Sequence, residues 1–120
     1  MLAEQSRRVN IQVIGTNKCQ ITRKALRFFK ERNVPFQFVD LAERGLSRGE
    51  LEHIAAAVPL DELVDREGRE FARLGLSYLE FDTEEELLEH PLLLRTPIVR
   101  SGREAAVGDQ TDCWRQWLRG

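Results

Sequence analysis

Apolar residues alternate at Val9, Ile11 and Val13 in "VNIQVIG", residues 9–15, and this alternation predicts a strand. The period then changes. Over residues 19–32, Ala25, Leu26 and Phe29 fall three, four and seven positions after Thr22, which is one stripe of an amphipathic helix. Asn33 stands just past that stripe as a stop, and Pro35 follows it. "FQFVD", residues 36–40, predicts a second strand. A strand, a helix and a strand at this spacing form a crossover unit, so the two strands are expected to be parallel.

The middle of the chain is helical in pattern. Ser47 and Glu50 have the spacing of a capping box, and a helix of about 48–58 follows, broken by Pro59. "LDELVD" and "EGREFARLGL" predict two short helices, the second ending at Gly75. In "DTEEELLEH" the expected N-cap is Thr83, ahead of a carboxylate-rich first turn. "TPIV" (96–99) and "EAAVG" (104–108) predict a hairpin with its tight turn at Ser101-Gly102. A last helix carries Trp114, Trp117 and Leu118 on its apolar face. The order is β-α-β, a helical block, then β-β-α. That is an α/β, thioredoxin-like arrangement with a central helical insertion at about 47–90. One domain is expected over 9–120, with residues 1–8 as a flexible N-terminal tail.

Composition narrows the functional classes. Apolar residues make up 42% of the chain and charged residues 32%, a globular rather than disordered balance. Eighteen basic and 20 acidic residues give a net charge of -2, which offers no whole-molecule attraction to nucleic acid or to acidic lipid. No apolar run reaches the roughly 18 residues of a membrane span, and "MLAEQSRR" lacks the features of a secretory signal. The two cysteines, Cys19 and Cys113, make no disulfide framework. The expected compartment is the reducing cytoplasm, where a rare cysteine is catalytic, redox-active or metal-bound.

Cys19 falls where the first helix begins. Free amide N–H groups and the positive end of the helix dipole favour a thiolate there. Thr22, three residues on, can turn its hydroxyl toward the sulfur, Lys18 and Arg23 add positive charge nearby, and Gly15 lets the backbone turn off the strand. The plain alternative is a small apolar plug at a helix start. The motif "CQIT" is C-x-x-T, so no neighbouring thiol can resolve a mixed disulfide. Resolution falls to glutathione, a partner protein or Cys113, whose place beside Trp114 reads as a structural thiol. His53 and His90 show no zinc-ligand spacing, so no metal is expected. Pro97 opens a strand, where it cannot donate to the ladder. The several arginines of the second half read mostly as solvated faces, with one or two able to reach an anion.

"VIGTNKCQITRKALRFFKERNVPFQFVDL", then "SRGELEHI", "LVDREGREFARLGL" and "HPLLLRTPIVRSGREAAVGD", resemble in order the blocks of the arsenate reductase ArsC/Spx/YffB family. The resemblance covers roughly residues 9–118. It implies a thioredoxin fold, a cytoplasmic location, Cys19 as the single nucleophile, no bound cofactor and glutathione as co-substrate, with glutathione or glutaredoxin as redox partner. It also implies a cis Thr96-Pro97 bond beside Cys19. Arg66 falls loosely in a block where arsenate reductases carry an oxyanion-binding arginine. Those enzymes place a second such arginine before the strand-opening proline. Here that position is Thr96, with Arg95 one residue early. The resemblance leaves two functions open: a thiol-dependent reductase whose substrate need not be arsenate, and an Spx-like regulator docking on RNA polymerase or another protein. Spx regulators usually carry a second cysteine where Thr22 stands.

Overall fold

The computed structural model describes residues 10–119; the expected tail at 1–8, and Val9 at the start of the first expected strand, lie outside the described residues. β1 (Ile11–Gly15) leads into α1 (Gln20–Glu31) and returns as β2 (Phe36–Asp40). β1 and β2 pair in parallel, with Ile11 opposite Phe36 and Gly15 opposite Asp40. Asn33 ends the crossover in the left-handed region at φ 58°, a conformation asparagine tolerates better than most residues.

The insertion holds α2 (Arg48–Ala55), α3 (Arg69–Arg73) and α4 (Thr83–Glu89), with single 3₁₀ turns at Leu60–Leu63, Leu76–Tyr78 and Pro91–Leu93. Ser47 and Glu50 make both halves of the capping box. Helix α2 is shorter than its sequence pattern, and turns replace helix before Pro59. At α4 the N-cap is Asp82, whose carboxylate accepts from the Glu85 N–H, and Thr83 is the first helical residue. Adjacent Asp and Thr are both competent caps, and the carboxylate takes the place.

β3 (Ile98–Ser101) and β4 (Glu104–Val107) form the hairpin, followed by α5 (Thr111–Arg119). Ser101 pairs with Glu104, so the turn is Gly102-Arg103, one residue later than expected, with Gly102 at φ 60°. The sheet order is β2-β1-β3-β4, and β3 is antiparallel to both neighbours.

Alternation along the strands builds two cores. Ile11, Val13 and Val99 face α1 and α5, where they bury Ala25, Phe28, Phe29, Trp114 and Trp117. Ile14, Val39 and Ile98 face the insertion and bury Leu51, Ile54, Leu63, Leu87 and Leu93 among others. The result is three layers with the sheet in the middle, the thioredoxin-like arrangement with its helical insertion. The buried stripe of α1 is Thr22, Ala25, Phe28 and Phe29; Leu26 lies beside it, only partly buried.

Candidate active site

Cys19 is the N-cap of α1, in extended backbone at φ -86° and ψ 120°. Its carbonyl accepts the first helical hydrogen bond from the Arg23 N–H at 3.1 Å, and its sulfur accepts from the Thr22 N–H at 3.4 Å. The thiol therefore does the work a serine or aspartate oxygen usually does at this position. A tight turn, in which the Cys19 N–H donates to Thr16 O at 3.2 Å, holds it at the end of β1.

Thr22 is fully buried. A Cβ added to Gly15 would collide with Thr22 Oγ1 and lie 2.8 Å from its Cγ2. Gly15 is thus a regular strand residue whose missing side chain makes room for Thr22, rather than the point of a sharp backbone turn. The Thr22 hydroxyl meets no acceptor at hydrogen-bonding geometry while the sulfur is a neutral thiol. A thiolate is a stronger acceptor and would draw it in.

From the other side comes the segment before β3. The Thr96–Pro97 peptide bond is cis, Pro97 is buried, and the Cys19 thiol donates to Thr96 O at 3.7 Å. The insertion clamps this segment. Val64 and Leu94 form an antiparallel bridge, the Arg95 N–H donates to Leu63 O at 2.7 Å, and the Asp65 N–H donates to Leu93 O at 2.9 Å. On its far side the Gly108 N–H donates to Pro97 O at 2.9 Å.

Partial burial pushes the Cys19 pKa up, but the hydrogen bonds that a thiolate can accept from the Thr22 and Thr96 side chains and from the Thr22 and Ile21 amides together outweigh it, so the thiol is held below its ordinary value. These hydrogen bonds matter more than the Lys18 and Arg23 charges expected to support the thiolate. Lys18 is exposed on the loop, and Arg23 Nη1 donates to Asn17 O at 2.6 Å, bracing the loop rather than reaching the sulfur. Thr96 is the contributor that local sequence reading missed in this role: 77 positions separate it from Cys19.

Residues 14–117 match the sequence pattern of the ArsC family. The chain belongs to the ArsC family. Among curated proteins it is similar to Global transcriptional regulator Spx 2 of Oceanobacillus iheyensis, 29% identical over 115 residues, covering 92% of this chain and 84% of that protein. Among solved structures it is similar in fold to a YFFB protein, with a TM-score of 0.80 and 23% identity over 91% of this chain and 99% of that one. It is likewise similar in fold to an arsenate reductase from Vibrio cholerae, with a TM-score of 0.77 and 20% identity over 92% and 98%.

Within this ArsC-family site the two candidate oxyanion arginines are occupied elsewhere. The Arg66 guanidinium lies over the Phe71 and Phe81 rings, 5.6 and 5.9 Å from their centroids. Arg95 Nη1 donates to Glu62 O at 3.3 Å. Both line an open cleft of about 410 Å³ with Asp61, Glu62, Asp65 and Glu67, and Cys19 is not part of its wall. Four carboxylates against two guanidiniums make a poor anion site.

Cys113 is a free, half-buried thiol packed against the α1–α5 core. Burial and the Glu104 charge both push its pKa up. His53 is exposed on α2, and His90 is the C-cap of α4, near Glu70 and Glu86. Among the described residues no cluster of three or more His, Cys, Asp or Glu side chains could hold a metal ion. No helix among them is long and apolar enough to cross a membrane.

The opposite shifts of the two thiols have a direct consequence. Only the thiolate is alkylated. As pH rises, Cys19 should reach its maximal iodoacetamide rate at lower pH than Cys113, and mass mapping of the adducts checks the order. Thr22→Val removes a buried hydroxyl that has no partner in the thiol state and should raise stability by about 1 kcal/mol. It should also slow alkylation of Cys19 at neutral pH. Denaturant unfolding and alkylation of the same variant test both signs; a variant that is stabilised yet alkylates as fast as the wild type removes Thr22 from the thiolate's support.

Proposed function

We propose that this ArsC-family chain is a thiol-dependent reductase that acts through Cys19 alone and attacks disulfide sulfur rather than arsenate. The observation that carries the reading is the sulfur's position: it caps α1, accepts from the Thr22 amide, and faces the Thr96-Pro97 segment, with a lowered pKa. With a glutathione mixed disulfide as substrate, the Cys19 thiolate attacks the glutathione sulfur. A Cys19–glutathione disulfide forms and the substrate leaves as a thiolate, which takes up a proton. A second glutathione thiolate then attacks that disulfide, releases oxidised glutathione and regenerates Cys19. Glutaredoxin can serve in place of the second glutathione. No prosthetic group is needed, and the cytoplasm is the compartment that supplies the reductant.

The test supplies the purified protein with glutathione, glutathione reductase and NADPH, and compares a small glutathione mixed disulfide with arsenate, each with and without added glutaredoxin. Faster NADPH oxidation with the mixed disulfide than without protein supports the reading. No rate above background with either substrate overturns it.

A second reading rests on the similarity to Global transcriptional regulator Spx 2. In it the chain is a regulator that docks on RNA polymerase or another protein, and redox chemistry is secondary. Thr22 in place of a second cysteine removes the local disulfide switch from that reading. An unreactive Cys19 in the native protein, together with co-purification of RNA polymerase, would favour it.

A further inference from the structure

Helix α1 has a second stripe, Arg23, Leu26, Arg27 and Lys30, next to its buried one. With Phe36 and Phe38 of β2 it walls an open groove of about 420 Å³. The groove has an apolar floor and a cationic wall, and no acidic residue lines it. Leu26, Phe36 and Phe38 are only partly buried there, which leaves apolar surface facing solvent. Among the described residues Arg27 and Lys30 make no ion pair, whereas Lys24, Arg44, Arg48, Arg73 and Arg115 each hold a carboxylate. The local positive charge runs against the net charge of -2 of the whole chain. Strand β2 is also at the edge of the sheet, with a strand on one side only among the described residues.

We infer that this groove docks an extended acidic segment of a partner protein, anchored by an aromatic or large aliphatic side chain. Each feature has its own counterpart in such a segment. The partner's carboxylates pair with Arg27 and Lys30, which gives steering and orientation. An apolar side chain covers Leu26, Phe36 and Phe38, and an extended backbone can add along the free edge of β2. Arg23, braced on Asn17 O, stands one helical turn from Cys19, so the groove opens beside the thiol loop. Nucleic acid could meet the cations and stack on Phe36 and Phe38, but it has no peptide N–H and C=O groups to extend the free edge of β2. The inference does not depend on the redox chemistry of Cys19.

The test titrates the protein with a short labelled peptide of mixed Asp and Glu carrying Trp and Leu at its centre. Controls are the same peptide with Lys for every acid, an all-acidic peptide without the apolar pair, and an oligothymidylate of matching length. The acidic aromatic peptide should bind most tightly. Affinity should fall by about tenfold or more in Arg27→Glu/Lys30→Glu and by less in the neutral Arg27→Gln/Lys30→Gln, and it should weaken as salt rises. Cys19→Ser should bind like the wild type. Amide shifts on titration should centre on Leu26, Phe36 and Phe38. The inference is overturned if charge reversal leaves the affinity unchanged, if the all-acidic peptide binds equally well, if the shifts centre elsewhere, or if oligothymidylate binds more tightly than the peptide.

Discussion

Cys19→Ser should abolish turnover of a glutathione mixed disulfide, with a loss of more than about a thousandfold, while the protein stays folded. A serine hydroxyl is not ionised at neutral pH, and it cannot form the disulfide that carries the reaction. Loss of fold is not the explanation open to a critic, because Cys19 is an N-cap and serine is among the best N-cap residues. Its oxygen can accept from the Thr22 N–H that now reaches the sulfur. The thermal midpoint of the variant should therefore match or exceed that of the wild type. Cys113→Ser, by contrast, should keep most activity, since that thiol is half-buried, has a raised pKa and is not bonded to Cys19. Steady-state rates and melting curves for the two variants decide the matter. Residual activity in Cys19→Ser that disappears in the double variant would move the nucleophile to Cys113.

How far the sequence anticipates this site depends on the range of the interactions. Cys19 at a helix start is a local fact, and so are the Ser47–Glu50 capping box and the stop at Asn33; each rests on a few consecutive residues. The same holds for the parallel β1–β2 pair, which follows from the period change around the crossover. Small displacements arise where two neighbours compete for one role, as at Asp82 and Thr83, or at Ser101, Gly102 and Arg103. On α1 a 3.6-residue period cannot choose between Leu26 and Phe28 for the core; the choice is made by Trp114, which packs its ring 5.4 Å from that of Phe28. What stabilises the thiolate is less legible still. Charges at Lys18 and Arg23 are visible in the chain, but the Thr96 side chain arrives from a distant segment held by the Val64–Leu94 bridge. Gly15 carries no sign that its neighbour in space is Thr22.

Arsenate should be a poor substrate. An oxyanion brings negative charge toward a thiolate, and the approach needs several donors already in place, above all charged ones. The residue before Pro97 is Thr96, which can supply one neutral hydroxyl and no charge. Arg95 is bonded to Glu62 O and Arg66 rests on two aromatic rings. Their shared cleft does not include Cys19 in its wall, so neither guanidinium is placed beside the nucleophile. Removing one oxyanion donor typically costs on the order of a hundredfold in rate. Turnover of arsenate should thus fall well below about 1 per second, even with Cys19 fully reactive toward alkylating agents. Thr96→Arg places a guanidinium beside the thiol and should raise arsenate turnover by about tenfold, less than the full deficit because Arg66 and Arg95 keep their present contacts. It should also lower the Cys19 pKa further, since a cation favours the thiolate more than a hydroxyl does. Arsenate turnover by the wild type at about 1 per second or faster would mean that Arg66 or Arg95 leaves its present contacts to bind the anion. In that case Arg66→Lys or Arg95→Lys, and not Thr96, would control the rate.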